Sequence, residues 1–494
     1  MFLVFLTAAA VAQPPPEPVA DALRRARAVH DAWLPRRNPD TELFPQSLKR
    51  REWNALNVAA DFFCFQYAIA AETHVPSLPA LRATLARERA LNGRELCDSF
   101  DVATGKPLNR NAGRKLFGTS EYLKDGLVSL YERTGDDAVR TRIIEITDAI
   151  VVASTHESKY GPIASRDSET NGNILQALAR VHFMTGDPRY ADLVGRTADA
   201  VIMQIFPKAR GVPVRRFDYT KDEVVDATVH LRDHGNETAV GLSEAYALAV
   251  TLAARPNADP IWAERAKRWA APIAAMYEIL LTRGRNADGL LMNRLPADGQ
   301  TGSEEQRTES DAQPCDNWGY LLSGAILFTQ AAERHESAAV PLERREKILS
   351  AVDAIARVVM RHHDIVWEPH AAFPPPAGHP DGLADSIESA IYIAFHRPAL
   401  RDELLAWVDI EIQRMFALQK PDGFVTGDYL DGNFIRTSLL YADARSPRGQ
   451  PPALVRWRDR MKLPWDWPRI NSWPQWGSDG SLQATPQTPD PTAP

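Results

Sequence analysis

Two kinds of apolar pattern alternate along the chain. In the first, apolar residues recur at helical spacing with polar residues between them. Tyr190, Leu193, Val194, Ala198, Val201 and Ile202 form one such set, and Leu404, Leu405, Val408, Ile412 and Met415 another. A stripe of that period predicts an amphipathic helix with one wet face. The second kind is apolar or small on nearly every side, as in residues 239–252, 318–328 and 387–395. A helix without a polar face must be buried all round. Segments of the buried kind begin near Trp53, Thr119, Thr170, Asn236, Asp316, Ala384 and Gly432. Amphipathic segments lie between them, near 20–33, 78–92, 136–153, 187–205, 259–283, 341–362 and 400–419, which makes seven helix pairs.

The punctuation supports the pairing. Two turns from a buried to an amphipathic segment reuse one cassette, Thr134-Gly135-Asp136 and Thr185-Gly186-Asp187-Pro188. Glycine can take the left-handed conformation that ends one helix, aspartate can cap the next, and Pro188 suits a first helical position. The opposite connections, such as 206–234 and 285–314, are long and irregular, and long loops gathered on one rim are where function is expected. Within such loops Gly289 to Leu295 and Phe424 to Tyr429 read as small hairpins. Together these features predict an all-α chain, an (α/α)6–7 toroid of helical hairpins with a few short strands in its rim loops. A superhelical solenoid would have shorter repeats and short loops.

Composition bounds the rest. The chain has 494 residues, 44% hydrophobic and 24% charged, and residues 20–463 read as one large domain. The net charge of −7 carries no basic stripe, which argues against a nucleic-acid partner. Residues 1–12 are apolar and end in Ala-Val-Ala before a proline-rich stretch, so they read as a secretory signal and the protein as secreted or periplasmic. No later segment is a continuous apolar run long enough to span a bilayer. Residues 464–494 form a Trp- and Pro-rich extension with a tail of disordered composition. Three scattered cysteines, Cys64, Cys97 and Cys315, make no disulfide framework.

Two stretches carry a resemblance to known enzymes: Asn171-Gly-Asn-Ile-Leu-Gln-Ala-Leu-Ala-Arg180 leading to Thr185-Gly-Asp-Pro-Arg-Tyr190, and Cys315-Asp-Asn-Trp-Gly-Tyr320 at the head of a buried helix. In these the chain resembles the six- or seven-hairpin toroids of glycoside hydrolases and polysaccharide lyases, nearest to the unsaturated glucuronyl hydrolase group. That group carries a Trp-x-Arg-Gly type signature at such a helix head, whereas Trp318 here is followed by Gly319, Tyr320 and Leu321. The resemblance implies a toroid that acts on a carbohydrate and assigns no catalytic residue.

Helices converging on one rim aim free amides and positive dipole ends at a common cleft, so polar residues at their heads are the site candidates. Asp233, His234, Asn236 and Glu237 form the densest cluster. A carboxylate beside an imidazole suits acid/base work, although an aspartate cap and a capping box also account for Asp233 and Glu237. Asp316, Asn317, Trp318 and Tyr320 offer an acid followed by aromatics that could cover a sugar ring, or a cap followed by core. Arg166, Glu169 and Asn171 precede another buried helix, and Arg166 could hold a substrate carboxylate. Asp385 and Glu388 stand three apart on an apolar helix, where buried acids need a partner or a function. Asp428 to Asn433 with Arg436 reads mainly as solvated loop polarity.

No cofactor is required by any motif. His362, His363, Asp364, His370 and His379 lack zinc-ligand spacing, and loop carboxylates would suit calcium better. There is no phosphate-binding glycine loop or nucleophile-elbow serine. The expected activity is a glycoside hydrolase in which one of Asp316, Asp233 and Glu237 is the acid and a second carboxylate the base. A uronate lyase or epimerase would instead use Arg166 or Asn236 to neutralise the substrate and His234 or Tyr320 to remove the C5 proton. A non-catalytic glycan-binding scaffold would keep the aromatics and dispense with the acids.

Overall fold

A computed structural model describes residues 17–73, 76–232, 236–296, 315, 317–361 and 380–445. The expected signal segment, the C-terminal extension and the histidine cluster from His362 to His379 lie outside the described residues.

Among the described residues fourteen helices alternate between an outer and an inner layer. The outer ones are α1 (Glu17–Trp33), α3 (Leu78–Asn92), α5 (Asp137–Ala153), α7 (Pro188–Ala200, extended by Val201–Ile205), α9 (Pro260–Arg283), α11 (Leu342–Val359) and α13 (Arg401–Ala417). The inner ones are α2 (Ala55–Phe63 running into Cys64–Glu72), α4 (Ala112–Glu121, Tyr122–Leu127 and Val128–Thr134), α6 (Ser168–Thr185), α8 (Glu237–Ala253), α10 (Trp318–Arg334), α12 (Pro380–His396) and α14 (Asp431–Arg445). Each inner helix packs on the next, and α14 packs back on α2, so seven inner helices close a ring. The first outer helix, α1, lies against the last inner helix, α14, and completes the seventh pair from opposite ends of the chain.

The alternating patterns explain the layers. Tyr190, Leu193, Val194 and Ala198 are buried on one face of α7, while α8 is buried from Glu237 through Val250. Inner helices approach closely where a side chain is missing: a Cβ on Gly172 of α6 would stand 2.5 Å from the Thr238 amide of α8, and one on Gly241 would stand 2.7 Å from the Gly172 carbonyl. Indole and guanidinium groups tie the outer layer, as where Trp269 and Arg265 both donate to Asp199, at 2.8 and 3.0 Å.

Both turn cassettes form as their residues require. Gly135 and Gly186 adopt φ of 62° and 76°, and Asp136 and Asp187 accept from the amides of Ala138 and Arg189 at 2.9 Å. These short turns lie on one rim, and the long loops on the other.

The long loops are tied both within themselves and to one another. Strand β1 (Glu52–Trp53) pairs with β2 (Phe100–Asp101), β3 (Arg216–Asp218) with β4 (Glu223–Asp226), and β5 (Thr228–His230) with β6 (Arg294–Pro296). The hairpin expected at Gly289 to Leu295 forms in part, as an antiparallel bridge between Arg285 and Leu291, and the chain beyond it, Arg294–Pro296, pairs across to the preceding rim loop. The stretch Phe424 to Tyr429 forms no hairpin; Asp428 bridges to Ser47 and joins the last rim loop to the first. Helix α4 starts at Ala112, well before Thr119, because Asn111 caps it by accepting from the Arg114 amide at 2.9 Å. Among the described residues no helix is long and apolar enough to cross a membrane.

Candidate functional site

Six inner helices contribute hydrogen-bonded polar side chains inside the ring, in one group from α4, α6 and α8 and another from α10, α12 and α14. From α4, Lys124 donates to Glu237 of α8 at 2.8 Å and stands 3.1 Å from Asp125 and 3.9 Å from Glu121. From α6, Asn173 donates to Glu121 at 2.5 Å, and Gln176 donates to the second oxygen of Glu237. On the other side Arg436 of α14 reaches Asp385 and Glu388 of α12, both at 2.8 Å. Tyr320 of α10 donates to the same two carboxylates at 3.2 Å, and Tyr392 donates to Glu388. Asn433 donates to Asp381. Most of these groups are buried, with Glu237 and Arg436 each only 3% exposed, so their charges are tolerable only through the mutual pairing.

Asp61 of α2 joins the two halves. It feels Asp125 and Glu121 on one side and Arg436 and Asp381 on the other. Burial, then the like charges of Asp125 and Glu121, push its carboxyl well above the ordinary aspartate range, and Arg436 only partly offsets them. Yet Asp61 keeps part of its surface open, as does Asp381. A raised carboxyl pKa on a residue that remains partly open suits a proton donor. Lys124 moves the opposite way: burial works against its ammonium, but Asp125, Glu121 and Glu237 outweigh that and raise its pKa. It is therefore a fixed cation rather than a base.

Asp61 and Lys124 share a backbone feature. Residues Ala55–Phe63 and Tyr122–Leu127 are wound as π-helix within their inner helices. The wider turn shifts the helical phase, and such departures recur at functional sites. Asp61 and Lys124 both lie within these wider turns.

The residues singled out from sequence divide into groups. Asp385, Glu388, Tyr320 and Glu237 come together in the network. In α12 the acid pair needs a partner and finds Arg436, a residue read from sequence as loop polarity. Both oxygens of Glu237 are engaged, by Lys124 and Gln176, which makes it part of the floor. Asn236 lies at the head of α8, 1% exposed, with neither amide atom partnered among the described residues.

Others serve the scaffold. Trp318 is 1% exposed and donates to Ser386 at 3.0 Å, so its indole joins α10 to α12 and offers no face to a sugar. Asn171 both accepts from the Ser165 amide and donates to its carbonyl, fixing the loop before α6. Asn317 accepts from the Cys315 thiol at 3.0 Å. Arg166 is exposed and pairs with Asp218 at 3.2 Å on β3, and Glu169 is half-buried in the first turn of α6. Asp233, His234 and Asp316 lie outside the described residues.

Sequence reasoning missed Asp61, Glu121, Lys124 and Asp125, while Asp381 stood in the stretch that also holds Asp385 and Glu388. The available signal was a lone acid in the apolar run from Asn54 to Ala71, and the i, i+3, i+4 spacing of Glu121, Lys124 and Asp125 inside a second such run.

No family model and no curated protein matches the chain. Solved structures do. A sugar epimerase from a ruminal bacterium matches with TM-score 0.47 at 12% identity, over 70% of this chain and 87% of that one. An unsaturated glucuronyl hydrolase from Streptococcus agalactiae matches with TM-score 0.47 at 10% identity, over 80% and 94%. An inactive variant of an α-1,6-mannanase from Salegentibacter, in complex with α-1,6-mannotriose, matches with TM-score 0.44 at 11% identity, over 85% and 98%. The chain's own helices set out a closed ring of seven hairpins among the described residues.

Proposed function

We propose that the chain is a carbohydrate-active enzyme, a glycoside hydrolase acting on an oligosaccharide or polysaccharide. The observation that carries this reading is Asp61: a partly open residue of α2 whose carboxyl is pushed well above the ordinary aspartate range by burial and by Asp125 and Glu121, with Arg436 and Asp381 on its other side. In this reading Asp61 gives its proton to the glycosidic oxygen as the bond from C1 to that oxygen breaks. Water adds to C1, and its proton passes to a second carboxylate, for which Asp381 is the partly open candidate. The fixed charges of Lys124 and Arg436 hold the remaining acids in place, and a preorganised field of that kind needs no rearrangement as charge develops. Asp233, His234 and Asp316, outside the described residues, remain catalytic candidates within this proposal.

Two observations weigh against the alternatives. A lyase or epimerase with Tyr320 as base fits poorly, because burial and the neighbouring Asp385 and Glu388 raise that phenol well above its usual pKa. A non-catalytic scaffold has no need of a carboxyl pushed well above its ordinary range by burial and by Asp125 and Glu121, as that of Asp61 is. Export to the periplasm or beyond, through the apolar segment 1–12, belongs to the same proposal and predicts a mature chain beginning near Gln13.

Incubation with neutral and uronate-containing glycans tests the activity. Hydrolysis yields new reducing ends without ultraviolet absorbance, a lyase yields an absorbing unsaturated end, and an unsaturated-glucuronyl hydrolase consumes one. Absence of any cleavage across the panel would refute the hydrolase.

A further inference from the structure

A cavity of about 190 Å³ opens on the rim between the heads of α2 and α4. Its walls include Arg50, Arg110, Arg114 and Lys115, against one lining carboxylate, Glu52. Arg50 and Arg110 each donate to one oxygen of Glu52, at 2.7 and 2.8 Å, and Lys115 pairs with Asp98 at 2.7 Å behind the wall. Four cations thus share two carboxylates. Arg114 is exposed, and among the described residues it has no carboxylate partner. Two helix heads, capped by Asn54 and Asn111, add their positive ends to the same place.

The first turn of α2 lines the cavity. Asn57 lines it and stands one turn before Asp61 on the same helix, and both are partly open. The volume is below that of a drug-sized pocket and suits a single sugar unit. Forked guanidinium donors match the planar, two-oxygen edge of a carboxylate and also bind sulfate.

We propose that this cavity is an anion-selecting subsite, which seats a carboxylate- or sulfate-bearing sugar of the substrate beside Asp61, with Arg114 as its specificity-determining contact. The proposal rests on the reading of the ring centre as a carbohydrate site, and it narrows that reading to acidic glycans.

Binding can be measured without turnover. D-glucuronate, D-glucose 6-sulfate and D-glucose are titrated separately into the full chain and its Arg114→Ala and Arg114→Lys variants, followed by isothermal titration calorimetry at low salt. A charge-assisted contact gives a preference of about tenfold or more for an acidic sugar over glucose. That preference collapses toward unity in Arg114→Ala, recovers in part in Arg114→Lys, and weakens with added salt. Which acidic sugar binds better separates carboxylate from sulfate. Equal behaviour of the three sugars, absence of binding included, or an unchanged preference in Arg114→Ala overturns the subsite. Failure of hydrolysis on every glycan would remove the enzyme reading and leave a measured anion preference intact. Hydrolysis of neutral glycans without any such preference would remove the subsite alone.

Discussion

Gly432 in α14 lies directly on the main-chain carbonyl of Asp61 in α2, so close that a Cβ at position 432 would overlap it. This contact closes the ring between the last and first inner helices, and it is also the backbone of the candidate acid. The missing side chain therefore links closure of the fold to placement of the proton donor.

Gly432→Ala should force the two helices apart. Overpacking of this kind costs roughly 1–3 kcal/mol, partly offset by the better helix propensity of alanine. Chemical denaturation should show that loss, and the folded variant should lose kcat beyond the change in stability, because Asp61 moves with its carbonyl.

Arg436 carries a different prediction. It is the cation shared by Asp385 and Glu388 at 2.8 Å, and its removal leaves two buried acids uncompensated. Arg436→Met should destabilise the chain by about 3–5 kcal/mol. Adding Asp385→Asn and Glu388→Gln to that variant should restore much of the loss. Simple additivity in denaturation of the combined variants would show that the three side chains do not act as a unit.

Much of this architecture was legible in the sequence, and the reason is periodicity. Segments such as 239–252 have no polar face, so they could only be inner helices, and the Gly-Asp cassettes marked the short-turn rim. The strand pairing was not legible, because β5 meets β6 across two loops far apart in sequence and no local signal sets such a partner. The site was legible in part. Asp385 and Glu388 stood out as acids on an apolar helix, but Trp318 and Asn171 turned out to be satisfied by Ser386 and Ser165. Asp61 was hidden because one acid in an apolar run has no motif, and its meaning comes from Asp125, Arg436 and Asp381 on three other helices.

The pH dependence of stability has a component from His396. Burial pushes its imidazole down to about 3, against about 6.5 in an unfolded chain. The unfolded state takes up the proton first, so this contribution is complete above about pH 6.5 and is lost as pH falls toward 3. Asp443, raised by burial to about 6 against the pull of Arg133, acts in the opposite sense. Comparison with His396→Leu isolates the histidine: relative to its own stability at pH 7, the wild type should lose about 2 kcal/mol more than the variant by pH 5. Parallel stability curves for the two proteins would contradict this assignment.

The most direct measurement of the account is the rate of glycan cleavage by Asp61→Asn, on a substrate first identified with the wild type. The replacement keeps the size of the side chain and removes its acidic proton. With the proton donor gone, kcat should fall by about 10²–10⁴ while circular dichroism and the denaturation midpoint stay near those of the wild type. A folded Asp61→Asn variant that cleaves at the wild-type rate would contradict the claim that Asp61 is the acid.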